Sequence, residues 1–276
     1  MPLSSIVVGA PVGSTLDTAN MIAMATAPEP QQRIPVICVD PSTVAGAEIF
    51  NPNAWTGSSK GVIQSCWSEY SVLHYCVLQL GEMCDGADKL CVNNIATIQE
   101  QWKLSKFELD KVTCFGQQPD LHIRIEAFFS GIKSLLDLIV QLLSTEKVVA
   151  AVIDGFHRDQ DVYGGRVLNS LRNNATNERK ELAARVDALI SKHKKTWIDG
   201  VIAARDQLVH PVKGMHQLMF SLEFVQKNGS LIFVRAHPPE IDSKPIHRFA
   251  RAVLEQSMAF SSNFLALLNE KAVSNK

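Results

Sequence analysis

One segment of the chain, residues 121–144, is apolar around most of a helical circumference. Its apolar side chains recur three and four residues apart, which is the spacing of an α-helix. They are Ile125, Phe128, Phe129, Ile132, Leu135, Leu136, Ile139, Leu142 and Leu143. A helix with so wide an apolar surface has to be covered by other elements on several sides. The segment therefore predicts the central helix of a helical bundle.

A polar stripe completes the circumference of this helix. It consists of Glu126, Ser130, Lys133, Asp137 and Gln141. Lys133 and Asp137 are four residues apart, so their charges can pair along the helix. We interpret the stripe as a solvent-exposed face rather than as the lining of a site, since charged rows on helices usually face water.

Apolar stripes of the same period predict further helices on both sides of the central one. The first covers residues 61–91, with a break or kink at Asp85-Gly86. A second helix follows it and ends at Gly116 to Pro119; its inward residues are Ile95, Ile98, Trp102 and Leu109. Two more helices cover about 178–209 and about 244–270. His193 lies on the apolar face of the 178–209 helix, where we expect a core residue with a satisfied hydrogen bond.

Two regions interrupt the helical pattern. Alternating apolar residues flank Asn228-Gly229, which predicts a β-hairpin over about 219–235. Residues 145–178 mix short helical pieces with loops and carry a polar cluster that we expect to be exposed. Its members are His157, Arg158, Asp159 and Asp161.

Residues 1–60 show no helical period and hold seven of the twelve prolines of the chain. We expect an irregular N-terminal extension here, followed by one helical domain over 61–276. The predicted fold class is all-α, a helical bundle of four to six helices with one inserted β-hairpin and an irregular N-terminal arm.

Composition restricts the classes of function. Lys and Arg total 27 and Asp and Glu total 28, a formal charge of −1, so any contact with nucleic acid has to be local. No segment approaches the roughly 18–20 apolar residues of a membrane span, and the N-terminus lacks the pattern of a signal peptide. We expect a cytosolic protein without a membrane partner, whose six cysteines are reduced and buried.

Three residues at the end of the 178–209 helix can act together on a phosphate. Residues 203–211 read Ala-Ala-Arg-Asp-Gln-Leu-Val-His-Pro. Arg205 can hold two phosphate oxygens at once, and His210 titrates near neutral pH and can move protons. Asp206 and His210 are four residues apart, so the carboxylate can orient the imidazole. Together they combine a cation that binds phosphates, a group that moves protons and a carboxylate that can orient it.

This motif resembles that of the HEPN domains, helical bundles named for their occurrence in higher eukaryotes and prokaryotes and for nucleotide binding. Their motif is an Arg followed, after four to six residues, by a His at the end of a late helix, and Arg205 and His210 match it. A polar residue, often Asn, commonly follows the Arg in the family, and here it is Asp206. The resemblance implies nucleotide or RNA binding, and in the nuclease members cleavage without a metal or cofactor at a site shared across a homodimer.

Helix geometry limits how Arg205 and His210 can come together in one site. Positions five apart on a helix lie about 140° apart around the axis, so Arg205 and His210 converge only if the helix loosens at its end or the site is shared across a dimer. Pro211 favours the first, because it disfavours helical geometry at His210. The basic run containing Lys192, Lys194 and Lys195 is usually a solvated helix face, but here it lies close enough to contact an RNA backbone.

Two other functions remain open. The same fold can serve as a non-catalytic protein-interaction module, in which Arg205 and Asp206 brace the helix end and His210 begins a turn. It can also act on a small nucleotide rather than on RNA. His210 and His216 could share a metal ion, but no third ligand is evident at a suitable spacing, so we expect no metal.

Overall fold

The computed structural model describes residues 46–103, 111–116, 118–209 and 218–270. Within this part the protein is mostly α-helical, a helical bundle with a small inserted antiparallel sheet. The elements are α1 (Gly57–Asp85), α2 (Ala87–Leu90), α3 (Val92–Lys103), β1 (Lys111–Gly116), α4 (Pro119–Thr145), α5 (Gly165–Asn173), α6 (Lys180–His193), α7 (Asp199–Val209), β2 (Phe220–Lys227), β3 (Ser230–His237), β4 (Glu240–Ile241), β5 (Lys244–Pro245) and α8 (Ile246–Asn269).

Helix α4 is the centre of the bundle, as its apolar circumference predicts. It packs against α1, α7 and α8, and all nine apolar residues named above are buried. Its length and composition would also suit a membrane span, but more than half of its most apolar stretch is covered by the rest of the protein. Burial between neighbouring helices therefore explains its apolar surface.

Helices α1 and α4 pack antiparallel and very closely. Ser59 at the start of α1 hydrogen-bonds Thr145 at the end of α4, with 3.0 Å between the hydroxyl oxygens. At mid-length, Gly131 faces Leu73, and a Cβ atom at Gly131 would lie 2.9 Å from the Leu73 side chain. The absence of a side chain at Gly131 thus allows the two helices to approach.

The predicted break after α1 is confirmed. Helix α1 ends at Asp85, and Gly86 leads into the single turn of α2 before α3 begins. The second helix is shorter than predicted, because α3 ends at Lys103 and residues 111–116 form strand β1. Leu109 lies outside the described residues.

The sheet explains why β1 was not recognised from its own sequence. The strand order is β1-β2-β3, and Lys111 of β1 pairs with Val225 of β2 in an antiparallel register. More than a hundred residues separate these partners, so nothing near β1 in the sequence signals the pairing. The β2-β3 hairpin is confirmed, and its turn residues Asn228 and Gly229 both have positive φ, at 53° and 76°, as an Asn-Gly hairpin turn requires.

The predicted long helix over 178–209 is also confirmed, with one irregular turn. Helix α6 continues through a π-helical turn, Lys194–Ile198, directly into α7. The last helix, α8, agrees with the predicted 244–270 within two residues. Of the region expected to be irregular, residues 46–56 hold two short 3-10 turns whose Phe50 and Trp55 enter the core. Residues 1–45 lie outside the described part.

The five cysteines that the structure describes are buried free thiols, as predicted. They are Cys66, Cys76, Cys84, Cys91 and Cys114. Burial raises the pKa of the Cys66 thiol to about 12 and those of Cys84 and Cys91 to about 11. These thiols are therefore packing groups, protonated at neutral pH.

Candidate functional site

Arg205 and Asp206 lie in the last turns of α7, where the sequence predicts them. Both side chains are partly buried, at 27% and 30% exposed. Helix α7 is described to Val209, so His210 lies immediately beyond the described residues. The structure therefore describes two members of the motif, and for them it shows a set of contacts that the sequence did not reveal.

Asp206 is the centre of these contacts. Its Oδ1 accepts a hydrogen bond from Nη1 of Arg205 at 3.1 Å. Its Oδ2 accepts from Nη2 of Arg158 at 3.1 Å and from the hydroxyl of Tyr163 at 3.2 Å. Two arginines and a tyrosine thus share one carboxylate. We call Arg158, Tyr163, Arg205 and Asp206 the arginine cluster.

Arg158 and Tyr163 come from the loop between α4 and α5, residues 146–164. The guanidinium of Arg158 lies 4.0 Å from the centre of the Tyr163 ring, a cation–π contact. The polar cluster at 157–161 marks this loop in the sequence, but nothing there indicates that Arg158 meets Asp206, 48 residues away. Arg158 is nevertheless half exposed, as expected for that cluster.

The polar stripe of α4 holds this loop in place. Lys133 and Asp137 form the predicted ion pair, and Asp137 Oδ1 also accepts the backbone N–H of Phe156 at 2.6 Å. Gln141 donates to the carbonyl of Asp154. The stripe is therefore only partly open to solvent, because the loop contacts Asp137 and Gln141 and leaves both side chains partly exposed.

Phe156 and Gly164 fix the two ends of the segment that carries Arg158. The Phe156 ring is buried at 1% exposed. Gly164 has a φ of 65°, and a Cβ atom there would lie 2.2 Å from the Phe156 ring. Only a glycine fits at this position, and the close contact sets where Tyr163 stands.

Arg205 retains unused hydrogen-bonding capacity. Its Nε is buried and has no hydrogen-bond partner among the described residues. A buried guanidinium nitrogen without a partner is uncommon, and an unseen water, ion or ligand is an ordinary explanation. The three charges of the cluster, two arginines and one aspartate, sum to one positive charge. Asp206 therefore does not make the site negative.

The three candidate lysines have different environments. Lys192 and Lys195 are exposed. Lys194 is buried at 8% exposed; its Nζ donates to the carbonyl of Tyr163 and to Oδ1 of Asp199, the latter at 2.6 Å. The side chain of Lys194 thus contacts the protein interior, whereas those of Lys192 and Lys195 are open to solvent.

His193 has the satisfied hydrogen bond that was predicted, but its side chain is only partly buried at the edge of the core. The indole N–H of Trp197 donates to its Nδ1 at 2.9 Å, and its ring packs 5.2 Å from the Phe260 ring, centre to centre. Burial, with a smaller contribution from the charge of Lys192, lowers the pKa of His193. The accepting Nδ1 fits a neutral imidazole.

No group of three or more His, Cys, Asp or Glu side chains that could hold a metal ion occurs among residues 46–103, 111–116, 118–209 and 218–270. The pair His210 and His216 lies outside these ranges. The described cluster offers guanidinium donors instead, which bind anions.

The chain was compared with models of known protein families, with curated proteins and with solved structures, and none of these comparisons finds a match.

Proposed function

We propose that this chain is a HEPN-like RNA-binding protein that cleaves RNA without a metal ion at the end of α7. The observation that carries the proposal is the state of Arg205. Its guanidinium is partly buried, its Nε has no partner in the described part of the chain, and it precedes His210 by five residues in the sequence. A pre-positioned guanidinium with free donors is suited to binding a phosphate.

The pairing of Asp206 removes an electrostatic objection to phosphate binding. An unpaired carboxylate beside Arg205 would repel the phosphate. Here Asp206 is hydrogen-bonded to Arg205, Arg158 and Tyr163. A carboxylate offers about four lone-pair positions, and these bonds occupy three. One position remains for the imidazole of His210, four residues further along the chain.

The chemistry assigns His210 the proton transfer and Arg205 the charge stabilisation. His210 accepts the proton of a ribose 2′-hydroxyl, and the oxygen attacks the adjacent phosphorus. The bond from phosphorus to the 5′-oxygen breaks, and that oxygen leaves with a proton from water. Arg205 binds the phosphate oxygens, on which negative charge increases during the reaction.

We further propose that the active form is a cytosolic homodimer with the site at the interface. The two motifs of a dimer would then face each other, so that Arg205 and His210 need not converge within one helix. Lys192 and Lys195, both exposed, would contact the RNA backbone next to the site.

One observation favours a second candidate, a non-catalytic interaction module of the same fold. Each contact of Asp206 also joins α7 to the 146–164 loop or to its own helix, as a structural brace would. In that case Arg205 and Asp206 stabilise the helix end, and RNA is not a ligand. The two candidates differ in whether the protein binds RNA through Arg205.

Titration of a labelled RNA oligonucleotide separates them. The wild type is expected to bind, and Arg205→Ala to bind roughly tenfold or more weakly, because a charge-assisted contact to the phosphate is lost. Arg235→Ala is the matched control, since Arg235 is exposed and pairs with Glu223 on the sheet. Equal affinity of Arg205→Ala and wild type, or no binding by a folded wild type, would favour the interaction module.

A further inference from the structure

We propose that Arg158 is a second phosphate-binding arginine of this site and that Tyr163 is its positioning residue. This inference rests on the proposed function, because it adds a ligand to the same phosphate. It concerns a residue outside the Arg-x4-His motif, which the 146–164 loop brings to α7.

The shared carboxylate sets the spacing of the two arginines. Arg205 Nη1 contacts one oxygen of Asp206 and Arg158 Nη2 the other, each at 3.1 Å. Two oxygens of a phosphate are separated by nearly the same distance as the two oxygens of a carboxylate. Arginines that already share a carboxylate are therefore spaced to share a phosphate.

Arg158 keeps donors for such a ligand. A guanidinium has five N–H groups. The hydrogen bond to Asp206 uses one of them, and Arg158 contacts Tyr163 through a cation–π contact and a side-chain hydrogen bond. The side chain is 49% exposed, so solvent and ligand can reach the remaining donors.

Tyr163 fixes the orientation of Arg158. Its ring supports the guanidinium from one side, and its hydroxyl donates to the same Asp206 oxygen that Arg158 contacts. Its backbone carbonyl is held by buried Lys194, which is anchored in turn on Asp199. Since Tyr163 is fixed at both its backbone and its hydroxyl, little ordering of Arg158 is required when a phosphate binds.

Charge indicates the kind of phosphate. Arg158, Arg205 and Asp206 together carry one net positive charge. An internucleotide phosphodiester carries one negative charge and is matched by the cluster. A terminal phosphate monoester approaches two negative charges at neutral pH, and the cluster does not balance it.

The test uses a short 2′-O-methyl RNA oligonucleotide without terminal phosphates, which the proposed reaction cannot cleave, and measures affinity over a range of salt concentrations. Arg158→Gln is expected to bind roughly tenfold or more weakly. The salt slope, which is the slope of log affinity against log salt concentration, should fall by about the amount that one phosphate contact contributes. Arg158→Lys, which keeps the charge, should retain the slope but lose part of the affinity. Tyr163→Phe should weaken binding with an unchanged slope, because it only positions the arginine.

Controls separate the failure of this inference from that of the function. Arg166→Gln, at an exposed arginine in α5, should bind as the wild type. If Arg205→Gln loses binding while Arg158→Gln retains wild-type affinity and salt slope, Arg158 is not a ligand and the proposed function stands. If the folded wild type does not bind the oligonucleotide, both fail. Binding of a nucleoside monophosphate in preference to the oligonucleotide would overturn the assignment to a phosphodiester.

Discussion

Asp206 connects the parts of the site at the scale of single residues. It neutralises one of two arginines, holds both at a fixed spacing and accepts the hydroxyl of Tyr163. A hydrogen bond to a charged group contributes more to stability than a neutral one. Asp206 is therefore structurally accommodated beside Arg205.

His193 gives a residue-scale prediction about pH. Burial holds its pKa below the ordinary value, so the unfolded chain binds the proton more readily than the folded protein. The contribution of His193 to the free energy of unfolding is fully present above about pH 6.5. It is lost as the pH falls towards the pKa of His193 in the folded protein. His193→Gln should remove this part of the loss, since glutamine does not titrate.

Urea unfolding near pH 7.5 and pH 5.5 measures the effect. The free energy of unfolding of the wild type should fall on acidification, and that of His193→Gln should fall less. Some loss is expected to remain, because burial lowers the pKa of His247 as well. Parallel losses in the two proteins would show that His193 does not titrate differently on folding.

The sequence predicts residues of the site only where they are neighbours along the chain. Arg205 and Asp206 are adjacent and share one helix, so the motif identifies both. Arg158 reaches Asp206 from 48 residues away through a loop, which no local pattern encodes. Lys194 was grouped with its exposed neighbours, because its burial depends on the carbonyl of Tyr163 and on Asp199.

At the scale of elements, the 146–164 loop determines the geometry of the site. Gly164 ends this loop with a positive φ and lies against the Phe156 ring. Gly229 in the hairpin turn also has a positive φ, but no atom lies within 4 Å of the position of its missing Cβ. A substitution at either glycine strains the backbone, but only one at Gly164 also causes steric overlap. Comparing the two substitutions therefore separates the cost of strain from the cost of overlap.

Alanine at either position should cost about 1–2 kcal/mol from the left-handed backbone. In Gly164→Ala we expect about 1–3 kcal/mol more, from overpacking against Phe156, together with weaker RNA binding as Tyr163 shifts. Urea unfolding and the oligonucleotide titration measure the two effects. Equal destabilisation by Gly164→Ala and Gly229→Ala would contradict the close packing of this loop.

Elements with a strong local period were predicted well from the sequence. Helices α4, α6, α7 and α8 carry long apolar stripes, and the hairpin carries an Asn-Gly turn, so each is encoded locally. Strand β1 was missed, because it is defined by its pairing with β2. The cover over the polar stripe of α4 was missed for the same reason: a distant segment supplies it.

At the scale of the whole molecule, the bundle gives the site a rigid support on one side. Helix α7 packs on the central helix α4, and α4 also anchors the 146–164 loop through Asp137. The two elements that carry the arginine cluster are thus fixed to one core helix. Because the formal charge of the chain is −1, the proposed binding of RNA requires attraction by this local cluster rather than by the net charge.

Metal-free incubation of purified protein with RNA in the presence of EDTA tests the central claim most directly. Wild type is compared with His210→Ala, Arg205→Ala and the control Arg235→Ala, each shown to be folded, and products are resolved on a gel. The account predicts cleavage by wild type and Arg235→Ala and none by the other two. Intact RNA with folded wild type, or equal cleavage by His210→Ala, would contradict it.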